Sequence, residues 1–93
     1  MEKIEKHELL CKQLHAIYKL KNTAYGDSFG KSFEDWGIAA AAIRLSDKWN
    51  RFMNLAKHPE VDSGDEAITD TLVDLANYAL MTVIELEFKK YDE

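Results

Sequence analysis

Several residue types that define whole classes of protein are scarce in this chain of 93 residues. It has one cysteine, Cys11, which excludes an internal disulfide and favours a reducing compartment. One proline and four glycines exclude a fibrous or low-complexity composition. With 46% hydrophobic and 31% charged residues, the chain instead has the composition of one folded domain covering residues 1–93.

Long apolar runs and an excess of basic residues are also missing. The longest uninterrupted apolar run, residues 38–43, is far shorter than the roughly 18 residues that cross a bilayer. Because the first eight residues are mostly charged, we expect neither a membrane span nor a secretion signal, and therefore a cytoplasmic protein. The net charge of −5 repels nucleic acid polymers, so we expect no such partner, although a single nucleotide is not excluded.

The spacing of apolar residues predicts an all-α protein with three helices at about residues 3–21, 33–57 and 64–89. We expect them to form an antiparallel three-helix bundle. The predicted inner face of the second helix contains Ile38, Ala42, Leu45, Trp49, Phe52 and Ala56. The predicted inner face of the third contains Ile68, Leu72, Leu75, Ala79, Thr82 and Leu86.

Turn and capping residues predict the limits of these helices. Residues 22–33, NTAYGDSFGKSF, are predicted to form a long loop in which Gly26 and Gly30 adopt positive backbone angles. Ser32 with Asp35, and Ser63 with Glu66, resemble capping boxes at the starts of the second and third helices. The second helix is expected to end before Pro59, since a residue that precedes proline avoids helical angles.

The segment YGDSFGKS, residues 25–32, superficially resembles a phosphate-binding Walker loop. A Walker loop needs four residues between its first glycine and the Gly-Lys pair, and it joins a strand to a helix. Here three residues intervene and a helix is predicted before them. The segment therefore indicates a connection between helices.

The third helix is apolar on two sides. Besides its predicted inner face, it carries a second set on roughly the opposite side: Val73, Leu80, Met81, Ile84 and Phe88. In a three-helix monomer one of these sides would be left in water, so either the helix is central or a second chain covers it. We expect a homo-oligomer, either a dimer or a tetramer.

A row of polar residues one turn apart also follows the third helix: Glu66, Asp70, Asp74 and Asn77. Carboxylates at this spacing repel each other, and burial increases the cost, so the row predicts a neighbouring cation. That cation is either Mg²⁺, which prefers oxygen ligands, or an arginine such as Arg44 or Arg51. A hydrated helix start is the remaining interpretation.

The second helix carries a polar stripe of mixed charge away from Leu45 and Trp49: Arg44, Asp47, Asn50, Arg51 and Asn54. This stripe predicts groups that meet the acidic row of the third helix. An ordinary hydrated face would pair its charges at the same spacing, so that interpretation stays open.

Three phrases resemble the small phage and bacterial family named nucleotide modification associated domain, type one: KNTAYGDSF at 21–29, IRLSDKWNRFMNL at 43–55 and DTLVDLANYAL at 70–80. Together they extend over about two thirds of the chain. The resemblance implies a role in phage nucleotide metabolism in a bacterial host.

A more distant resemblance is to the all-α MazG and dimeric dUTPase group of nucleoside triphosphate pyrophosphohydrolases. In that group a Glu-x-x-Asp motif is followed by tyrosine four residues later, and Asp74 and Tyr78 match this part. Thr71 stands in place of the glutamate, and Asp47 with Asn50 is the nearest substitute for a second acidic motif. The resemblance implies an oligomer that uses Mg²⁺ to bind or hydrolyse a nucleotide.

These observations predict Mg²⁺ ligands at Asp70, Asp74, Asp47 and Glu66, the first three of them catalytic. The nucleotide contacts are expected from phosphate-binding cations, from the segment before the second helix and from one amide: Lys21, Arg44, Lys48, Arg51, Asn22, Tyr25, Asp27 and Asn77. Trp49 is expected in the core. The alternative hypothesis is a non-enzymatic helical module whose second apolar face docks a phage or host protein.

Overall fold

The computed structural model describes residues 2–60 and 65–92, the side chains of residues 65, 66 and 90–92 excepted. Within that range the protein is all-α, as predicted, and forms four helices: α1 (Lys3–Tyr25), α2 (Ser28–Trp36), α3 (Ile38–Lys57) and α4 (Asp65–Asp92). The three other helices all contact α4, and α2 also packs on α3. The long helix α4 is therefore the element on which the fold is assembled.

The prediction of three helices with a long loop at residues 22–33 is wrong, because only two residues separate α1 from α2. Gly26 has left-handed backbone angles (φ 62°), and its N–H donates to the carbonyl of Asn22. Asp27 is also left-handed, with φ 56°. Two consecutive left-handed residues end one helix and redirect the chain into the next, which makes a long connection unnecessary.

The additional helix α2 forms because it has its own apolar face. Phe29 and Phe33, one turn apart, are buried together with Ala41 of α3 and are packed by Tyr78 and Met81 of α4. This packing supplies the burial that stabilises a helix of only nine residues.

Gly30 lies inside α2 and not in a turn, so the positive angle predicted for it is wrong. A Cβ at this position would collide with the carboxylate of Asp27, and the glycine therefore permits a close approach. Ser32 is likewise helical and does not cap the following helix. That helix, α3, instead begins after Gly37, whose φ is 68°.

The other helix limits agree with the prediction in part. Helix α3 ends at Lys57, before Pro59, as expected. Helix α4 continues to Asp92, beyond the predicted end at residue 89. The predicted cap formed by Ser63 and Glu66, and a helix start at residue 64, fall outside the described residues.

The buried face of α3 differs from the predicted one. Ala41 and Leu55 are buried, whereas Ile38 is exposed and Trp49, which we expected in the core, is 52% exposed. The ring of Trp49 lies beside that of Phe52 at a centroid distance of 5.7 Å. Burial on α3 is thus centred on small and aliphatic residues that fit closely against α2 and α4.

The face that α4 buries is more polar than predicted. Thr71, Asn77 and Thr82 are buried, while Leu72 and Leu86 of the predicted inner face are exposed. The hydroxyls of Thr71 and Thr82 each donate to the backbone carbonyl four residues earlier at 2.7 Å, and this satisfies them internally. A count of apolar residues could not identify this face, because its buried polar groups are hydrogen-bonded.

By length and composition alone, the segment Ala67–Lys89 of α4 could cross a membrane, although it contains no uninterrupted apolar run of that length. The other three helices contact α4, and 11% of this segment is buried in the fold.

The chain is extended for its length. Its radius of gyration is 15.0 Å, whereas a compact domain of this size has about 12 Å. No residue of α1 is buried, and only four apolar residues of the described part, Phe29, Phe33, Ala41 and Leu55, are buried. An isolated chain therefore leaves much apolar surface in water, and oligomerisation stays a prediction.

Removing the charge of Glu85 is expected to stabilise the protein at neutral pH. Burial, followed by the negative charges of Asp27 and Glu34, raises the pKa of Glu85. Because its folded pKa is raised, stability falls as the pH rises from the ordinary glutamate pKa through the folded value. We expect Glu85→Gln to raise the Tm at pH 7 by about 2 °C, given a like-charge cost of a few tenths of a kcal/mol. The gain should vanish at pH 3.

Thermal unfolding followed by circular dichroism at both pH values measures this effect. Glu87→Gln, on the exposed side of the same helix, is the charge-matched control and should change the Tm little. A gain from Glu85→Gln that persists unchanged at pH 3 would contradict the electrostatic explanation.

A hydrogen bond between α3 and α4 gives a second prediction. Arg51 Nε donates to Thr71 Oγ1 at 3.1 Å, and Thr71 is only 2% exposed. Thr71→Val keeps the shape but removes the acceptor, so we expect a loss of about 1 kcal/mol. Urea unfolding measures it, with Thr71→Ser as the control that keeps the hydroxyl. Equal losses for both variants would show that packing, and not the hydrogen bond, matters here.

Candidate functional site

A groove of about 680 Å³ lies where the four helices meet. Each helix lines it with residues spaced mostly by three or four positions, so that one side of every helix faces the same space. The short connection at Gly26 and Asp27 leads directly into α2, which also lines the groove. The wall between α2 and α4 is aromatic, since the rings of Phe29 and Tyr78 lie 5.8 Å apart.

A carboxylate held by two ammonium groups marks the charged part of the groove. Lys48 Nζ of α3 donates to Asp74 Oδ2 at 3.0 Å, and Lys21 Nζ of α1 donates to Asp74 Oδ1 at 3.5 Å. Asp74 and Lys48 are half-buried, while Lys21 is more exposed. The two lysines thus converge from different helices on one anion.

The groove is positively charged in a protein of net negative charge. Arg44 joins Lys21 and Lys48 in lining it, against the single carboxylate of Asp74. These four side chains carry a net charge of +2, whereas the whole chain carries −5. Such a local excess attracts anions of small size.

Aromatic residues line the groove next to these charges. Tyr25 at the end of α1 and Trp36 at the end of α2 both line it, and both remain largely exposed, Trp36 at 75%. A large aromatic side chain left in water at the edge of a groove is typical of a binding surface.

Two amides complete the lining. Asn77 is buried, and its Nδ2 donates to the carbonyl of Leu14 at 3.2 Å, which fixes the side chain between α4 and α1. Asn22 lies one residue after Lys21 and also lines the groove. This hydrogen bond uses one N–H of the Asn77 side chain and thereby fixes the position of its amide oxygen.

The structure brings together seven of the residues that the sequence predicted for a site: Lys21, Asn22, Tyr25, Arg44, Lys48, Asp74 and Asn77. They come from three helices and from sequence positions more than fifty residues apart. Their roles stay predictions.

The other predicted residues lie elsewhere. Asp47 and Asp70 are exposed and do not line the groove. Arg51 is directed to Thr71, and Asp27 lies in the α1–α2 connection against Gly30. The side chain of Glu66 is outside the described part of the chain.

Magnesium, which the acidic row of α4 and the resemblance implied, stays a prediction, since the side chain of Glu66 lies outside the described part. No group of three His, Cys, Asp or Glu side chains within the described residues is arranged to hold a metal ion. The carboxylate of Asp74 is already neutralised by Lys21 and Lys48. A cation bound at Asp74 would have to displace both ammonium groups, so we derive no chemical step through a metal.

Several lining residues were not predicted. Phe29 was assigned to a loop and Trp36 to the start of a helix, and Tyr78 was noted only for its place in a motif. The available signal for an additional amphipathic helix was the four-residue spacing of Phe29 and Phe33. Gly37, four residues later, precedes the next helix.

The model of a protein family described as nucleotide modification associated domain 1 matches residues 21–86. The chain belongs to this family. The matched segment contains every residue that lines the groove except Ile17 and Tyr18. No curated protein matches the chain significantly, and neither does any solved structure. Membership of the family agrees with the first predicted resemblance, whereas the more distant one to the MazG group has no support from the comparisons.

Proposed function

We propose that this member of the nucleotide modification associated domain 1 family binds a nucleotide in the groove between its four helices. The observation that carries the proposal is the convergence of Lys21, Arg44 and Lys48 next to exposed aromatic rings. Cations and aromatic rings are the two kinds of group that a nucleotide requires, the first for phosphate and the second for the base. The family's association with nucleotide modification is consistent with this use.

The phosphate would bind at the lysine pair. Asp74 already occupies the position between the two ammonium groups, so the groove contains a preformed site for an anionic group with several oxygens. A phosphate offers the same acceptors with a higher charge, and Arg44 adds a guanidinium that can bind phosphate through two nitrogens. We infer that phosphate competes with the carboxylate for the lysines.

The base would lie against Tyr25 and Trp36. Both rings are exposed at the edge of the groove, and stacking on them would remove apolar surface from water. Stacking of one base on an aromatic side chain is worth about 1–3 kcal/mol. Since every base has an aromatic face, this contact supplies affinity for nucleotides as a class.

Lys48→Gln is expected to weaken nucleotide binding by about 10- to 100-fold, since it removes a charge-assisted hydrogen bond worth about 1.5–3 kcal/mol. Isothermal titration calorimetry with a panel of nucleoside mono- and triphosphates, with and without Mg²⁺, gives the measurement. Lys57→Gln, an exposed lysine at the end of α3 and outside the groove, is the matched control.

The wild-type protein should bind at least one nucleotide of the panel, and the control should bind it equally. No binding of any nucleotide by the wild-type protein would refute the proposal. Equal loss in both lysine variants would reduce it to a general effect of net charge.

Asp74→Asn distinguishes competition by Asp74 from direct participation in the site. If the carboxylate competes with phosphate, its neutralisation frees both lysines, and the affinity for a nucleoside triphosphate should rise about tenfold or more. The Tm of the free protein should fall slightly because two ion pairs are lost. Weaker nucleotide binding by Asp74→Asn would show instead that the carboxylate contributes to the bound state, as a metal ligand would.

A further inference from the structure

The exposed side of α4 carries a regular apolar stripe that no described helix covers. It consists of six residues whose spacing alternates between three and four: Thr69, Leu72, Ala76, Ala79, Val83 and Leu86. Its three large residues are between 41% and 50% exposed. This alternation keeps the residues on one side of the helix over about 25 Å.

Alternating three and four is the spacing of a helix that packs along another helix with interlocking side chains. The stripe therefore fits a helical occupant that lies nearly parallel or antiparallel to α4.

The stripe is symmetric when it is read backwards, since the order of its spacings stays three, four, three, four, three. A second copy of α4 in antiparallel orientation would set Ala76 opposite Ala79, Leu72 opposite Val83 and Thr69 opposite Leu86. Small residues then meet small ones at the centre, and the two large residues next to them meet each other. This complementarity of a surface with itself is what a two-fold dimer needs.

The helix dipoles favour the antiparallel orientation, because the dipoles of two antiparallel helices are opposed.

From these observations we infer that two copies of the chain associate through α4 in antiparallel register, centred between Ala76 and Ala79. The groove would stay open in this dimer. Asp74 lies about 180° around the helix from Val83, so the groove and the stripe occupy opposite sides of α4. The dimer and nucleotide binding are therefore separate properties, and either can fail without the other.

Sedimentation velocity and equilibrium of the full chain test the inference. The wild-type protein should have twice the chain mass of 10.7 kDa at micromolar concentration. Leu72→Lys and Val83→Glu should each weaken dimerisation about a hundredfold or more, because each sets an unpaired charge in the contact. Leu20→Lys, at a still more exposed apolar position on α1 (73%), is the control outside the stripe and should leave the dimer intact.

The double variant Leu72→Lys with Val83→Glu determines the register. In the antiparallel dimer each introduced lysine lies opposite the partner's introduced glutamate, so the double variant should regain at least tenfold of the lost affinity. In a parallel pair like charges would face each other, and the double variant would stay monomeric. Circular dichroism should show wild-type helix content for every variant, since both positions are exposed in the single chain.

Three results would overturn the inference: a monomeric wild-type protein, single variants that dimerise as the wild type does, or a double variant without recovery. A monomer that cosediments with lipid vesicles would assign the stripe to a membrane surface instead. In each of these cases the proposal for the groove would stand or fall on its own titrations.

Discussion

The packing of Phe29 and Phe33 against Ala41, Tyr78 and Met81 is the contact on which the rest of the structure depends. It holds the short helix α2 to α3 and α4 at once, and so it forms the aromatic wall of the groove. Few other contacts could replace it, since only four apolar residues of the described part are buried and a small domain buries a lower fraction of its surface than a large one. The groove exists because this cluster holds α2 against α3 and α4, while the lysines of α1 and α3 converge on Asp74 of α4.

The electrostatics of the groove follow from where α1 and α3 meet α4. Lys21 and Lys48 reach the same carboxylate from two helices, and ion pairs that remain partly in contact with solvent add little to stability. Their importance lies in the arrangement, because the carboxylate between the two ammonium groups lowers their mutual repulsion. We propose that phosphate can take the place of this carboxylate. A structural ion pair and a phosphate site therefore have the same geometry.

Helix α4 is rich in apolar residues and yet contributes polar side chains to the groove, because its two sides differ in composition. One side buries Thr71, Asn77 and Thr82 among the other helices and contributes Asp74 to the groove. The other carries the regular stripe that includes leucine, alanine and valine, which none of the three other helices covers. The sequence analysis predicted two faces for this helix but assigned the inner one to the wrong residues.

The helical class, the end of α3 before Pro59 and the family could be predicted from the residues alone, because these depend on local periodicity, on proline and on phrases of consecutive residues. The folded chain was needed to show that Asp74 is held by Lys21 and Lys48, that Arg51 donates to Thr71, and that residues 28–36 form a helix. Each of these depends on contacts between residues distant in sequence, and spacing along a single helix carries no information about which side a neighbouring helix will cover.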